Sequence, residues 1–368
     1  MYVLQGGKLI GKGTYGCVFD PPLKCKSKYG PVKKNRVGKV TQPVDFAAEA
    51  EAAKELQSLG IAQTYFILPD LQSSCEIANV SKQTEMDIQK CEPIHYEPNG
   101  KMVQFEMPYA GKSLFKRLND ADIRTPQFFF RLMTFLLEAG SYLAAKSYIH
   151  YDIKEDNILL DESMNLKLID FGQSFSAKTL TKEVLDLRWK VYNPAYAAEA
   201  PESTLFGAIL FGETMPKALS EICLQKLPLI QAERLLGLSL SQQKEDLKQF
   251  WAQSRAVREK DSVKFFKLYW PGFDAFLIGA TLLGVLNRLI FLPSFANSRE
   301  WIAKKEKVFT ILRGMLQASP RKRIDSIQAL YKWDPKNAWF GTYGTTWISS
   351  RDAQGTSSSS SVSSPLQF

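Results

Sequence analysis

Residues able to move a phosphoryl group are concentrated in two short stretches of this chain. In His150-Tyr151-Asp152-Ile153-Lys154-Glu155-Asp156-Asn157, a carboxylate is followed two residues later by an ammonium and five residues later by a carboxamide. Thirteen residues beyond Asn157, Leu-Ile-Asp-Phe-Gly sets a second carboxylate, Asp170, on a turn at Gly172. Asp152 would orient an attacking hydroxyl or accept its proton, and Lys154 would neutralise charge on the group in transfer. The amide oxygen of Asn157 and the carboxylate of Asp170 are hard oxygen donors. Magnesium takes such donors while keeping its other positions for phosphate and water. Either stretch alone arises by chance as a polar turn, and His150 by itself is more often a packed core histidine. In this order, with strands between them, the two stretches point to one chemistry.

That chemistry also needs a grip on phosphates. Ile10 precedes a G-x-G-x-x-G pattern, Gly11, Gly13 and Gly16, with Val18 closing it. The same pattern opens helices in dinucleotide-binding folds, but Pro21 and Pro22 follow and forbid an immediate helix. A hairpin whose bare backbone N–H groups approach an anion is the expectation. Lys39, in Arg-Val-Gly-Lys-Val, is the candidate cation, with Lys33 and Lys34 as rivals in a polar run. A helix carboxylate has to hold that lysine. Glu49 leads a face continued by Ala52, Ala53 and Leu56, while Glu51 and Glu55 are expected to be solvated.

The elements that must position these groups follow from periodicity and punctuation. The first hundred residues are strand-rich, with one Ala- and Glu-rich helix from Phe46 that Gly60 is expected to close. A segment from about Pro69 to Gly100 is punctuated by Asn, Ser, Pro and Gly, and a strand, Lys101 to Met107, follows. From about Pro126 apolar residues recur at three- and four-residue spacing, and helical periodicity dominates from about Leu205. The apolar run Phe273–Leu292 approaches membrane-span length but carries Asp274, Asn287 and Arg288, so it reads as a buried helix. The Ser-rich end is low-complexity and expected to be disordered.

Composition narrows the classes. The chain has 368 residues, 45% apolar and 23% charged, with a formal net charge of +9. This balance favours acidic partners, nucleotide phosphates among them, without choosing between them. Nucleic acid is disfavoured because Tyr29 alone interleaves the basic loop Lys24 to Arg36. The five cysteines, an odd count without a C-x-x-C pair, suggest a reducing compartment. Cys17 reads as space-filling, and Cys75 and Cys91 as two separate small hydrophobes, with a pairing across a hairpin as the alternative. No apolar leader is visible, so a soluble chain with no membrane partner is expected.

These motifs resemble the eukaryotic-type protein kinases, from Gly11 to about Trp333. The resemblance rests on G-x-G-x-x-G-x-V, the strand lysine, the helix glutamate, H-x-D-x-K-x-x-N and D-F-G. Ala200-Pro201-Glu202 adds the family's A-P-E, and Arg323 is placed to form a buried ion pair with Glu202. Asp274 is placed to bond the catalytic-loop backbone, and Gly279 to let its helix pack closely. The resemblance implies an α+β, bilobal kinase fold: a strand-rich lobe over 1–106, a helical lobe over 107–333 and an extension over 334–368. It also implies ATP and Mg2+ as cofactors and protein substrates as partners. Lysine at position 154 is typical of Ser/Thr-directed members.

Three departures stand out. Tyr151 replaces the arginine that, in much of the family, receives a phosphorylated activation loop, so activity independent of such phosphorylation is expected. Ala195 stands where many members place a threonine against the catalytic aspartate and lysine. A helical insertion of about 203–270 is long for the family. With Met107–Gly111 and the non-arginine catalytic loop, it is similar to kinases encoded by large nucleocytoplasmic DNA viruses, which implies a host-cytoplasmic enzyme of a kind that can be packaged in a virion. A small-molecule or lipid kinase and a silent scaffold are the alternatives. The first is opposed by Glu202 with Arg323, the second by retention of Lys39, Asp152 and Asp170. Oligomeric state is not read from the sequence.

Overall fold

The computed structural model describes residues 7–13, 16–26, 35–58, 60–77, 90–91, 101–188 and 192–350. Lys33, Lys34, Tyr29, most of the basic loop and the Ser-rich end lie outside them. Two compact units emerge, one of residues 1–112 with 159–174, the other of 113–158 with 175–368. The segment bearing Asp170 therefore groups with the first unit, although a single boundary near residue 106 is the sequence expectation.

The first unit is built on five antiparallel strands: β1 (Lys8–Gly13), β2 (Gly16–Asp20), β3 (Arg36–Thr41), β4 (Asp70–Glu76) and β5 (Val103–Pro108). Their order is β1-β2-β3-β5-β4. The glycine stretch is a hairpin as expected, with Gly13 opposite Gly16 and Gly11 opposite Val18, and the register shifts between Leu9 and Gly11. Asp-Leu-Gln-Ser-Ser-Cys-Glu forms β4 despite its turn-like composition, because pairing to β5 decides it and only Ser73 and Cys75 are buried. Helix α1 (Pro43–Gln57) follows β3 and buries Ala48, Glu49, Ala52, Ala53 and Leu56. It ends with Ser58 as its cap, short of the expected Gly60.

The cysteine reading is corrected here. Cys17 is bonded to Cys91 and Cys25 to Cys75, with Cα separations of 6.0 and 5.8 Å, and Cys223 is the buried free thiol. These partners are 74 and 50 residues apart, so nothing in their spacing announces the pairing.

The second unit is helical: α2 (Pro126–Ala145), α3 (Pro201–Leu210), α4 (Met215–Gln225), α5 (Leu227–Leu236), α6 (Leu240–Gln253), α7 (Ser262–Leu289), α8 (Arg299–Met315), α9 (Ser326–Trp333) and α10 (Ala338–Tyr343). Helices α2 and α7 are long and apolar enough to cross a membrane, yet 72% of the relevant window in each is buried inside the fold. Both are core helices here. Gly279 lets α7 approach the α8 end, since a Cβ there would lie 3.0 Å from Met315 Cβ. Residues 334–350 also pack into this unit: Trp339 and Tyr343 meet Tyr142 of α2, and Trp347 Nε1 donates to Asp325 at 2.9 Å.

Candidate active site

In the first unit, the side chains of β3 and α1 meet the Asp170 turn. Lys39 is 6% exposed and its Nζ donates to Glu49 and, at 2.8 Å, to Asp170 Oδ1. Lys39 is the strand lysine selected by this contact, and Glu49 is the helix carboxylate that reaches it. The residue before Lys39 is small because a Cβ at Gly38 would lie 2.4 Å from Gln104 Oε1, which accepts from Leu23 N. Burial lowers the affinity of Lys39 for its proton, but Asp170 and Glu49 more than offset this and raise it above the usual lysine range. Burial pushes the Glu49 carboxyl up to about 7, with Lys39 pulling the other way.

The three hairpin glycines do different jobs. At Gly16 a Cβ would lie 2.5 Å from Val40 O and 3.4 Å from Lys39 Cε, so a side chain there collides with the lysine strand. Gly11 and Gly13 meet no such obstacle, leaving bare backbone. Ile10 and Val18 are partly buried against a cluster of Val37, Ile67, Phe105, Met107 and Ala110. Asp170 sits at φ 68°, in the left-handed region, with its side chain accepting from Gly172 N. Phe171 is fully buried, edge-on to Phe66 at 5.7 Å.

In the second unit the His150–Asn157 stretch hangs from α7. Asp274 accepts from His150 N at 2.8 Å and from Tyr151 N at 2.9 Å. Two turns along the same helix face, Thr281 donates to Ile153 O at 3.4 Å. Asp152 is 5% exposed, and its Oδ2 accepts from Lys154 Nζ at 2.8 Å and Asn157 Nδ2 at 3.0 Å. The Asn157 amide nitrogen also donates to Asp152 O at 2.8 Å. Beneath the loop, Arg323 makes a two-pronged ion pair with Glu202 at 2.7 and 2.6 Å, both side chains fully buried.

Two departures seen in the sequence acquire partners. Tyr151 is buried among Phe175, Phe266 and Phe273, and its hydroxyl lies 2.6 Å from Ser203 Oγ and 3.3 Å from Glu199. Burial, then the neighbouring Glu199 charge, hold that phenol well above its usual range, so it stays neutral. Ala195 is exposed, and the next residue makes the contact to Asp152: Tyr196 Oη donates to Asp152 Oδ1 at 2.9 Å. Sequence reasoning missed Tyr196 by one position, because threonine was the residue sought.

A glycine hairpin, a lysine–glutamate pair on an Asp-Phe-Gly turn, and a supported H-x-D-x-K-x-x-N loop define a phosphotransferase of the protein-kinase class. Residues 4–333 match the protein kinase domain, and the chain belongs to that family. Among its curated relatives, the serine/threonine-protein kinase grp of Drosophila melanogaster is 35% identical over 111 residues, 27% of this chain and 22% of the relative. The maternal embryonic leucine zipper kinase of Xenopus laevis is 33% identical over 130 residues, 32% of this chain and 19% of the relative. The serine/threonine-protein kinase ppk8 of Schizosaccharomyces pombe is 36% identical over 69 residues, 19% of this chain and 13% of the relative. The matched stretches thus span less than a quarter of each of these relatives.

Proposed function

We propose that the chain is an ATP-dependent serine/threonine protein kinase that transfers the γ-phosphate of ATP to protein hydroxyls. The observation that carries this reading is the arrangement around Asp152, whose Oδ2 is held by Lys154 and Asn157 and whose Oδ1 is held by Tyr196, fixing the carboxylate that an incoming hydroxyl would meet. Gly11, Gly13 and Gly16 would offer backbone N–H groups to the phosphates, with Ile10 and Val18 beneath the nucleotide. Lys39, oriented by Glu49, would neutralise two of the phosphates. The amide oxygen of Asn157 and the carboxylate of Asp170 fit magnesium as hard donors. When bound, the metal would neutralise charge on the phosphate oxygens. The buried Glu202–Arg323 pair favours a protein acceptor over a small molecule by the family resemblance.

We also infer that activity does not depend on a phosphorylated activation loop, because a neutral, buried Tyr151 occupies the position of the receiving cation. The long helical insertion, Tyr151 and Met107–Gly111 support assignment to the kinases of large nucleocytoplasmic DNA viruses. They support, with it, a site of action in host cytoplasm. There, Cys17–Cys91 and Cys25–Cys75 would have to resist reduction, and thiol mapping of the protein as isolated reads that out.

Purified chain with magnesium and γ-labelled ATP should label serine or threonine in a protein acceptor, by phospho-amino-acid analysis. Prior phosphatase treatment should leave the rate within twofold. Label confined to small molecules, or none, would overturn the reading. The acid limb is a further expected result. Below about pH 7 Glu49 takes up a proton and Lys39 loses one of its two carboxylate charges. The KM for ATP should therefore rise as pH falls from about 8 to about 6. Glu49→Gln should raise KM at every pH and flatten this limb; an unchanged limb would assign it to another group.

A further inference from the structure

The helices that lengthen this chain after Glu202 reach the catalytic aspartate through one buried lysine. Lys226 occupies the corner between α4 and α5, where its own N–H donates to Ile222 O at 3.0 Å and its carbonyl accepts from Leu229 N at 3.0 Å. Pro228 stiffens the start of α5. From this rigid corner the side chain runs inward and is fully buried. Its Nζ donates to Tyr196 O at 2.7 Å and to Glu199 O at 3.2 Å. Burying an ammonium is costly unless its donors are used, and these donors are spent on the backbone of one loop.

That loop presents Tyr196. Its N–H donates to Asn193 O at 3.1 Å, its carbonyl is held by Lys226 and its hydroxyl donates to Asp152 Oδ1 at 2.9 Å. A second tether comes from the same helix: Tyr192 Oη donates to Glu221 Oε2 of α4 at 2.7 Å. The far end of the loop is closed by Thr204 Oγ1 donating to Glu199 Oε2 at 2.7 Å. A ring clamped at the backbone and bonded at its tip sets the Asp152 carboxylate plane from the side opposite Lys154 and Asn157.

We propose that Lys226 is a positioning residue of the catalytic centre, acting through Tyr196, and that the α4–α5 corner serves to hold Asp152 in its productive rotamer. The proposal rests on the kinase reading above. Catalysis is sensitive to such alignment, because a misplacement of about 1 Å costs on the order of 100-fold. A residue that only stabilises the fold would lower the yield of active protein and leave turnover per folded molecule unchanged.

The test is steady-state kinetics of the full chain with magnesium-ATP and histone as acceptor, each variant normalised to folded protein by circular dichroism. Tyr196→Phe should lower kcat at least about tenfold with the KM for ATP within twofold. Lys226→Met should lower kcat similarly. The double variant should be no slower than the worse single one, since both act on one contact. Multiplicative losses, or a Tyr196→Phe rate equal to or above that of the unaltered chain, would overturn the proposal; the latter would make Tyr196 a gate. Should Lys226→Met fail to fold, Tyr192→Phe removes the second tether, and a kcat fall of severalfold at constant KM is expected, with no fall counting against the proposal. If the unaltered chain transfers no phosphate, the kinase reading itself fails and the positioning role falls with it. If it transfers while the variants match it, only the positioning role fails.

Discussion

Replacing Asp152 with asparagine should slow phosphoryl transfer by about 10²–10⁴-fold while leaving magnesium-ATP binding in place. The substitution is nearly isosteric, but the carboxylate accepts on both oxygens. Lys154 and Asn157 donate to Oδ2, and Tyr196 donates to Oδ1. An amide must turn its NH2 toward one of these donors, so at least one bond is lost, and the group can no longer take a hydroxyl proton. The loop itself should hold its fold, because Asp274 secures the backbone N–H groups of His150 and Tyr151 independently of the Asp152 side chain. Turnover with γ-labelled ATP and a thermal shift with magnesium-ATP separate the two effects. A rate within tenfold of the unaltered chain would remove Asp152 from the chemistry. Loss of nucleotide binding would mean the substitution had damaged more than proton transfer.

Arg323→Ala should cost about 3–5 kcal/mol in denaturant unfolding, the largest stability loss expected of a single substitution here. The five guanidinium donors are all used. Nη1 donates to Glu202 Oε1 and to Gly272 O at 2.9 Å, and Nη2 to Glu202 Oε2 and to Ala318 O at 3.0 Å. Nε donates to Gln317 O at 2.8 Å, and the group lies over Phe276. Removing it strands a fully buried Glu202 carboxylate and three backbone carbonyls. The lone charge, more than the lost attraction, sets the cost. Arg323→Lys should recover little, because one ammonium cannot meet acceptors arranged around a planar fork. Arg323→Ala combined with Glu202→Gln should be less damaging than Arg323→Ala alone, since the stranded charge is gone. If the single and double variants unfold at the same denaturant concentration, the ion pair is not what holds this corner. Glu202 lies in the first turn of α3, which follows the Tyr196–Glu199 loop, so the same variants should also lower kcat.

The α1 face could be read directly, because Glu49, Ala52, Ala53 and Leu56 recur at the helical period and the helix buries those positions. The order of the glycine hairpin, lysine strand, catalytic loop and Asp-Phe-Gly turn was readable for a similar reason. Each is a local backbone device whose residues are neighbours in sequence. Asp274 and Arg323 were placed through the family resemblance, and their partners lie 124 and 121 residues away. The change from strand-like to helical periodicity agreed with the α+β class that the family resemblance implied.

Other features depended on packing across distant segments. Cys17 of β2 meets Cys91, and Cys25, bridged to Ile77, meets Cys75 of β4, and chain spacing carries no record of either contact. Strand β4 exists because β5 offers it hydrogen bonds, which its own composition does not predict. The contact on Asp152 falls to Tyr196, whose loop is held by the Asn193 turn and by Lys226, and not to the exposed Ala195. Lys226 stood as a lone cation in the apolar run Ile222–Ile230, and only the fold turned it inward. Sequence by itself determined the chemical groups and the elements that carry them, since residue type and helical or strand period act over a few residues. Tertiary structure decided which groups touch, because side-chain contacts between segments tens of residues apart are set by how the core closes around them.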